Sequence, residues 1–139
     1  MKTKPRKEKS ILDNIWKFII LAGSFAFTVS FVVYLIGIQS GYPIEKTRTI
    51  VLTTIILFEL FFVYTCRSDK SVFKNNIFSN KWLNRAVLFS IGMHLLLIYT
   101  SLGKIFGVVP LTLKEWLFIL PFAVSGLIIF EIGKIIRKN

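Results

Sequence analysis

The chain has 139 residues, 54% of them hydrophobic and 14 of them Phe, with a net charge of +11 and a mean hydropathy of +0.66. A water-soluble fold of this length has no interior large enough for that much apolar surface, and the apolar residues gather in runs longer than a core helix or strand needs. The basic residues lie between those runs rather than along one face, and no reading motif accompanies them, which excludes nucleic acid and points to anionic lipid headgroups. The single Cys66 has no partner for an internal disulfide. The first apolar run is too long for a signal peptide, and no small-residue cleavage site follows it.

Four stretches reach the roughly 20 apolar residues that cross a hydrocarbon core. They predict transmembrane helices over about 17–38, 46–66, 83–102 and 114–135, behind a basic flank at 1–15. The fold class expected is an all-α membrane protein, a four-transmembrane-helix bundle. Ser10 with Asp13 resembles a cap that starts the first helix before it enters lipid. Ser40-Gly41-Tyr42-Pro43 reads as a turn, with Pro43 suited to the first position of the second helix. Thr112 with Glu115 fits a capping box opening the fourth span, and Pro121 inside that span removes a backbone donor and predicts a bend.

Orientation follows from Lys and Arg. Lys2, Lys4, Arg6, Lys7, Lys9, Lys17, Arg67, Lys70, Lys74, Lys81, Arg85, Lys134, Arg137 and Lys138 fall on one side, and Lys46, Arg48, Lys104 and Lys114 on the other. Fourteen against four predicts that both termini and the middle loop are cytoplasmic. Ala22, Ala26 and Ser30 recur every fourth residue, and Ala123, Gly126 and Gly133 form a second smooth strip. Such ridges let helices approach closely, within this chain or from outside it.

Glu59 is the leading candidate for chemistry. An ionised carboxylate in mid-membrane costs several kcal/mol and needs a partner, water or a proton. Leu52, Ile55, Ile56, Phe62 and Val63 share its helical face and offer none. It reads either as a cation ligand or proton carrier, or as a protonated carboxyl hydrogen-bonded between helices. His94, one turn after Ser90, reads as an interhelical hydrogen-bonding group. Glu131, three residues before Lys134 and six before Arg137, reads as a snorkelling, paired carboxylate. Trp16, Trp82, Tyr99 and Trp116 lie near span ends as interfacial anchors, and Cys66 reads as a buried thiol. No phosphate loop, metal-ligand cluster or nucleophilic triad is present, and the loops are too short for a catalytic domain, so no catalytic residue and no cofactor site is expected.

Three segments carry a family resemblance. "RTIVLTTIILFELFFVYTCRSDKSVFKNNIFSNKWLNRAVLFSIGMHLLLIYT" is similar to the eighth and ninth transmembrane helices of type II P-type cation-transporting ATPases. "GKIFGVVPLTLKEWLFILPFAVSGLIIFEIGKIIRK" resembles their last loop and tenth helix, and "MKTKPRKEKSIL" their loop between the sixth and seventh helices. In calcium pumps of this family the eighth helix gives a carboxylate to one transport site, and the resemblance implies that role for Glu59. Where family members often carry Asn one and two turns later, this chain has Phe62 and Thr65. The resemblance places the other ligands on the fourth, fifth and sixth helices and the phosphorylated Asp in a DKTGT motif, none of which lies in these residues. The implied role is a supporting C-terminal segment, not an enzyme by itself, whether as split subunit, truncated product or fragment. Its implied partners are membrane lipid and the remaining helices and cytoplasmic domains of a pump, in the cell membrane, with cation contact only alongside those helices. The alternatives are a freestanding membrane scaffold or helper in moving lipid-linked substrates, and a proton- or cation-conducting oligomer with Glu59 at a shared axis.

Overall fold

The computed structural model describes the backbone of residues 8–66 and 80–137, and side chains within 16–66 and 80–133. Five helices follow in order: α1 (Glu8–Gln39), α2 (Ile44–Cys66), α3 (Lys81–Tyr99), α4 (Leu102–Phe106) and α5 (Leu113–Arg137). There is no strand among the described residues. Four of the helices are long and apolar enough to cross a membrane, over Trp16–Gln39, Ile44–Cys66, Lys81–Tyr99 and Leu113–Gly133. The four-span, all-α expectation is met. Of the basic residues, Lys2, Lys4, Arg6, Lys7, Arg67, Lys70, Lys74 and Lys138 lie outside the described residues, as do the side chains of Lys9, Lys134 and Arg137.

Helix ends show why the chain folds back where it does. Gly41 takes φ +73°, and the Tyr42 N–H donates to the Gly37 carbonyl at 3.2 Å while the Gly41 N–H reaches Ile38 at 3.0 Å. A left-handed residue just past a helix end is what glycine permits most cheaply. Pro43 precedes α2 rather than opening it, and its carbonyl accepts the first helical bond, from Thr47 N–H at 3.0 Å. Helix α1 begins at Glu8, so Ser10 lies inside it and not at its cap. Asn80 caps α3, its side chain accepting from the N–H groups of Trp82 and Leu83 at 3.1 Å each. Helix α3 stops at Tyr99, short of the expected end near residue 102, and the chain turns into α4 instead. Helix α5 runs through Pro121 without interruption.

Helix α2 is the hub. It packs closely against α5 and then α1, and meets α3 along a narrower seam. Three contacts fix the α2–α5 register: Lys46 with Glu115, Phe58 with Gly126, and Phe62 with Phe130, ring centroids 4.9 Å apart. From the first to the second contact is twelve residues along α2 and eleven along α5, about 18 and 16 Å of helix. The two helices therefore run side by side in the same direction. Helix α1 is antiparallel to α2: Gly37 meets Thr47 near the turn, Phe25 meets Phe58 at 5.9 Å, and Phe18 meets Phe62 at 5.8 Å.

The interior has two parts. Toward the end that carries the 40–43 turn, Val33, Ile50, Leu57, Ile98, Leu111, Ile119 and Ala123 form an aliphatic cluster. Toward the other end, Phe18, Phe25, Phe58, Phe62 and Phe130 interlock in stacked and edge-on pairs. On α1 the buried line is Val29, Val33 and Gly37, with Ala22, Ala26 and Ser30 half-buried beside it. In the second strip Ala123 and Gly126 are buried, while Gly133 is exposed with open space around it.

Candidate functional site

Polar contacts hold the turn-side end of the bundle. The Lys46 ammonium lies 2.9 Å from Glu115 Oε1, and Thr112 N–H donates to Glu115 Oε2. Glu115 is only 4% exposed. One carboxylate thus caps its own helix, as the Thr112–Glu115 spacing predicts, and also ties α5 to α2. Beside it, the Trp116 indole N–H donates to Tyr99 Oη at 2.8 Å, and the Tyr99 hydroxyl donates to the Leu111 carbonyl at 2.7 Å. Val109 N–H reaches Thr49 Oγ1 at 3.0 Å, pinning the α4–α5 connection to α2.

All five threonines of α2 (Thr47, Thr49, Thr53, Thr54 and Thr65) are buried. Thr49, Thr53 and Thr54 each donate to the carbonyl four residues earlier, which consumes their hydroxyl protons locally. His94 Nε2 meets Thr53 Oγ1 at 3.0 Å across the α2–α3 seam, and Tyr64 Oη donates to Asn84 Oδ1 at 3.0 Å further along it. His94 is therefore the interhelical hydrogen-bonding group that its position suggests. Because the Thr49 and Thr53 protons point into the backbone, His94, Thr53 and Thr49 form a structural chain and not a continuous proton wire.

Glu59 stands apart from all of this. It lies nine residues from the fully buried Ile50, and at about 100° per residue that places it on the opposite side of α2. The structure leaves Glu59 exposed, on the stripe that also carries Arg48 and Cys66. Among the described residues it makes no hydrogen bond or ion pair. No group of three or more His, Cys, Asp or Glu side chains forms among the described residues, so Glu59 alone does not make a cage for a hard cation, which takes six to eight oxygens. Phe62 is committed to the aromatic cluster and Thr65 is buried in the bundle.

Two other expectations are corrected. Glu131 does not snorkel: it is wholly enclosed, at 0% exposed. The Cys66 thiol is exposed and not buried, because it falls on the outward stripe of α2. Trp16 and Trp82 are open at span ends, with the Arg85 guanidinium 5.5 Å over the Trp82 ring.

An integral, multi-pass membrane segment with an acid exposed in mid-span is the class this geometry defines. The family model described as the C-terminus of cation transporting ATPases matches residues 1–136, and the chain belongs to that family. It is 33% identical to calcium-transporting ATPase 1 of Schizosaccharomyces pombe over 138 residues, which is 98% of this chain and 15% of that protein. It is 34% identical to a calcium-transporting ATPase of Bacillus subtilis over 126 residues, 86% of this chain and 14% of that one. An endoplasmic reticulum-type calcium-transporting ATPase 4 of Arabidopsis thaliana is 32% identical over 95 residues, 67% of this chain and 9% of the relative. The chain thus corresponds to the C-terminal transmembrane region of type II pumps and spans about a seventh of the first two relatives.

Proposed function

We propose that these residues are the membrane-support segment of an ATP-driven cation pump, calcium-like, in which Glu59 supplies one carboxylate to a cation held mainly by other helices. The observation that carries this reading is the outward Glu59 in mid-span, with no hydrogen bond or ion pair among the described residues. A carboxylate so placed in lipid is costly, and the cost disappears when further helices bring oxygens, and a cation, to that face. The relatives are calcium-transporting ATPases, which favours calcium as the transported substrate. The other three spans act as a buttress. The α2–α5 register, the aromatic cluster and the Lys46–Glu115 pair hold α2 rigid while leaving its Glu59 face open.

In this reading the two chain ends and the 67–79 connection face the cytoplasm of a cell-membrane pump, as the fourteen-to-four distribution of Lys and Arg favours. Phosphorylation and nucleotide binding belong to parts of the pump outside these residues, on the same polypeptide or another. Purification of the tagged chain from native membranes tests this. The expected preparation forms an acid-stable, hydroxylamine-sensitive phosphoenzyme from labelled ATP. A pure preparation that carries no phosphorylatable domain, on this chain or bound to it, contradicts the proposal.

A further inference from the structure

Glu59 is aimed by its sequence neighbour. Phe58 is buried, and its ring sits directly over Gly126: a Cβ built on Gly126 would lie 2.3 Å from Phe58 Cε2 and 2.5 Å from Cζ. No side chain other than hydrogen fits there unless something moves. The ring tip of an isolated Phe would swing aside, but this one is boxed. Phe62 stacks on it at 5.8 Å and Phe25 lies at 5.9 Å, and both also contact Phe130.

Nor is α2 free to slide away as a unit, because Lys46 and Glu115 tie it to α5 about 18 Å further along. The remaining freedom is for α2 to roll or tilt about that tie. A roll moves Glu59, the next residue, which projects about 100° further round the same helix turn. We propose that Gly126 is a positioning residue for the cation site: by admitting the Phe58 ring it sets the rotation of α2, and so the direction of the Glu59 carboxylate. This deepens, and rests on, the reading of Glu59 as a ligand.

The test uses the assembled pump and reads the calcium concentration for half-maximal phosphoenzyme formation in four variants: Glu59→Gln, Gly126→Leu, Gly126→Leu with Phe58→Ala, and Gly126→Leu with Glu59→Gln. The expected result is a rise of about tenfold for Gly126→Leu, with maximal phosphoenzyme little changed. Phe58→Ala should restore most of it by making room for the new side chain. In the Glu59→Gln background Gly126→Leu should add nothing further, because its effect passes through the missing carboxylate. If Glu59→Gln shifts the half-point and Gly126→Leu does not, or adds its full effect in that background, the positioning role is overturned while the ligand reading stands. If Glu59→Gln is silent, the ligand reading fails and takes the positioning role with it. Gly126→Ala replaces Leu if the larger variant does not accumulate. Failure of both to accumulate even with Phe58→Ala overturns the inference in favour of plain packing.

Discussion

His94 on α3 and Thr53 on α2 meet through an Nε2–Oγ1 contact of 3.0 Å in the buried seam between their helices. Thr53 already donates its hydroxyl hydrogen to the Thr49 carbonyl, so the oxygen is left to accept and Nε2 carries the hydrogen of the neutral ring. The other ring nitrogen, Nδ1, is buried without a partner. Helix α3 touches α2 sparingly, and this bond, with Tyr64–Asn84, is what bridges the seam.

Thr53→Val keeps the shape and removes the acceptor. It should weaken the α2–α3 association by about 0.5–1.5 kcal/mol, the range for interhelical hydrogen bonds in membranes. Reversible unfolding of the chain in mixed micelles reads this directly. A variant as stable as the native chain would mean that the bond contributes nothing.

The Lys46–Glu115 pair is a second point of attachment, and its carboxylate is far more enclosed than its ammonium. Removing the lysine strands a buried carboxylate that retains only its Thr112 cap, so Lys46→Met should cost more than a surface pair would, about 1–3 kcal/mol. Lys46→Met with Glu115→Gln should cost less than the two single changes added together. Additive single costs would show that the two groups are not energetically coupled.

Gly37 and Thr47 form a close α1–α2 approach near the turn. A Cβ on Gly37 would come within 2.8 Å of Thr47 Cγ2, and the Thr47 hydroxyl is buried without a hydrogen-bond partner. Gly37→Ala should therefore destabilise by about 1–3 kcal/mol through overpacking. Thr47→Ala should relieve it, since it deletes the clashing methyl and an unsatisfied oxygen together. Unfolding free energies of the two single variants and the pair check this, and a Gly37→Ala variant of native stability contradicts it.

Much of the architecture is written in one dimension and was legible as such. Span number follows from apolar run length, and the mid-span position of His94 points to an interhelical hydrogen bond. The Thr112–Glu115 cap was visible in local spacing. Lys46 with Glu115 was not, since the residues lie on different spans; the available signal was one Lys and one Glu near the starts of two spans that begin on the same side. The threonines of α2 carry a further signal, since Thr47, Thr53, Thr54 and Thr65 fall on the half of the helix away from Glu59. Reading polar β-branched residues as a buried stripe would have revealed the inner face. The burial of Glu131 is not written in its spacing, because position near a span end says nothing of which way α5 turns the residue. On α1 the most deeply buried line, Val29, Val33 and Gly37, runs beside the half-buried ridge of Ala22, Ala26 and Ser30.

The role proposed for Glu59 is to contribute a ligand to a cation site completed by helices outside these residues. The measurement that tests it most directly is the calcium dependence of phosphoenzyme formation in the assembled pump with Glu59→Gln and Glu59→Asp. Gln keeps size and one carbonyl oxygen but loses the charge, and should raise the half-saturating calcium about tenfold or more, with Asp between Gln and native. Half-saturation unchanged by Glu59→Gln, in a pump of normal abundance and maximal phosphoenzyme level, contradicts the account.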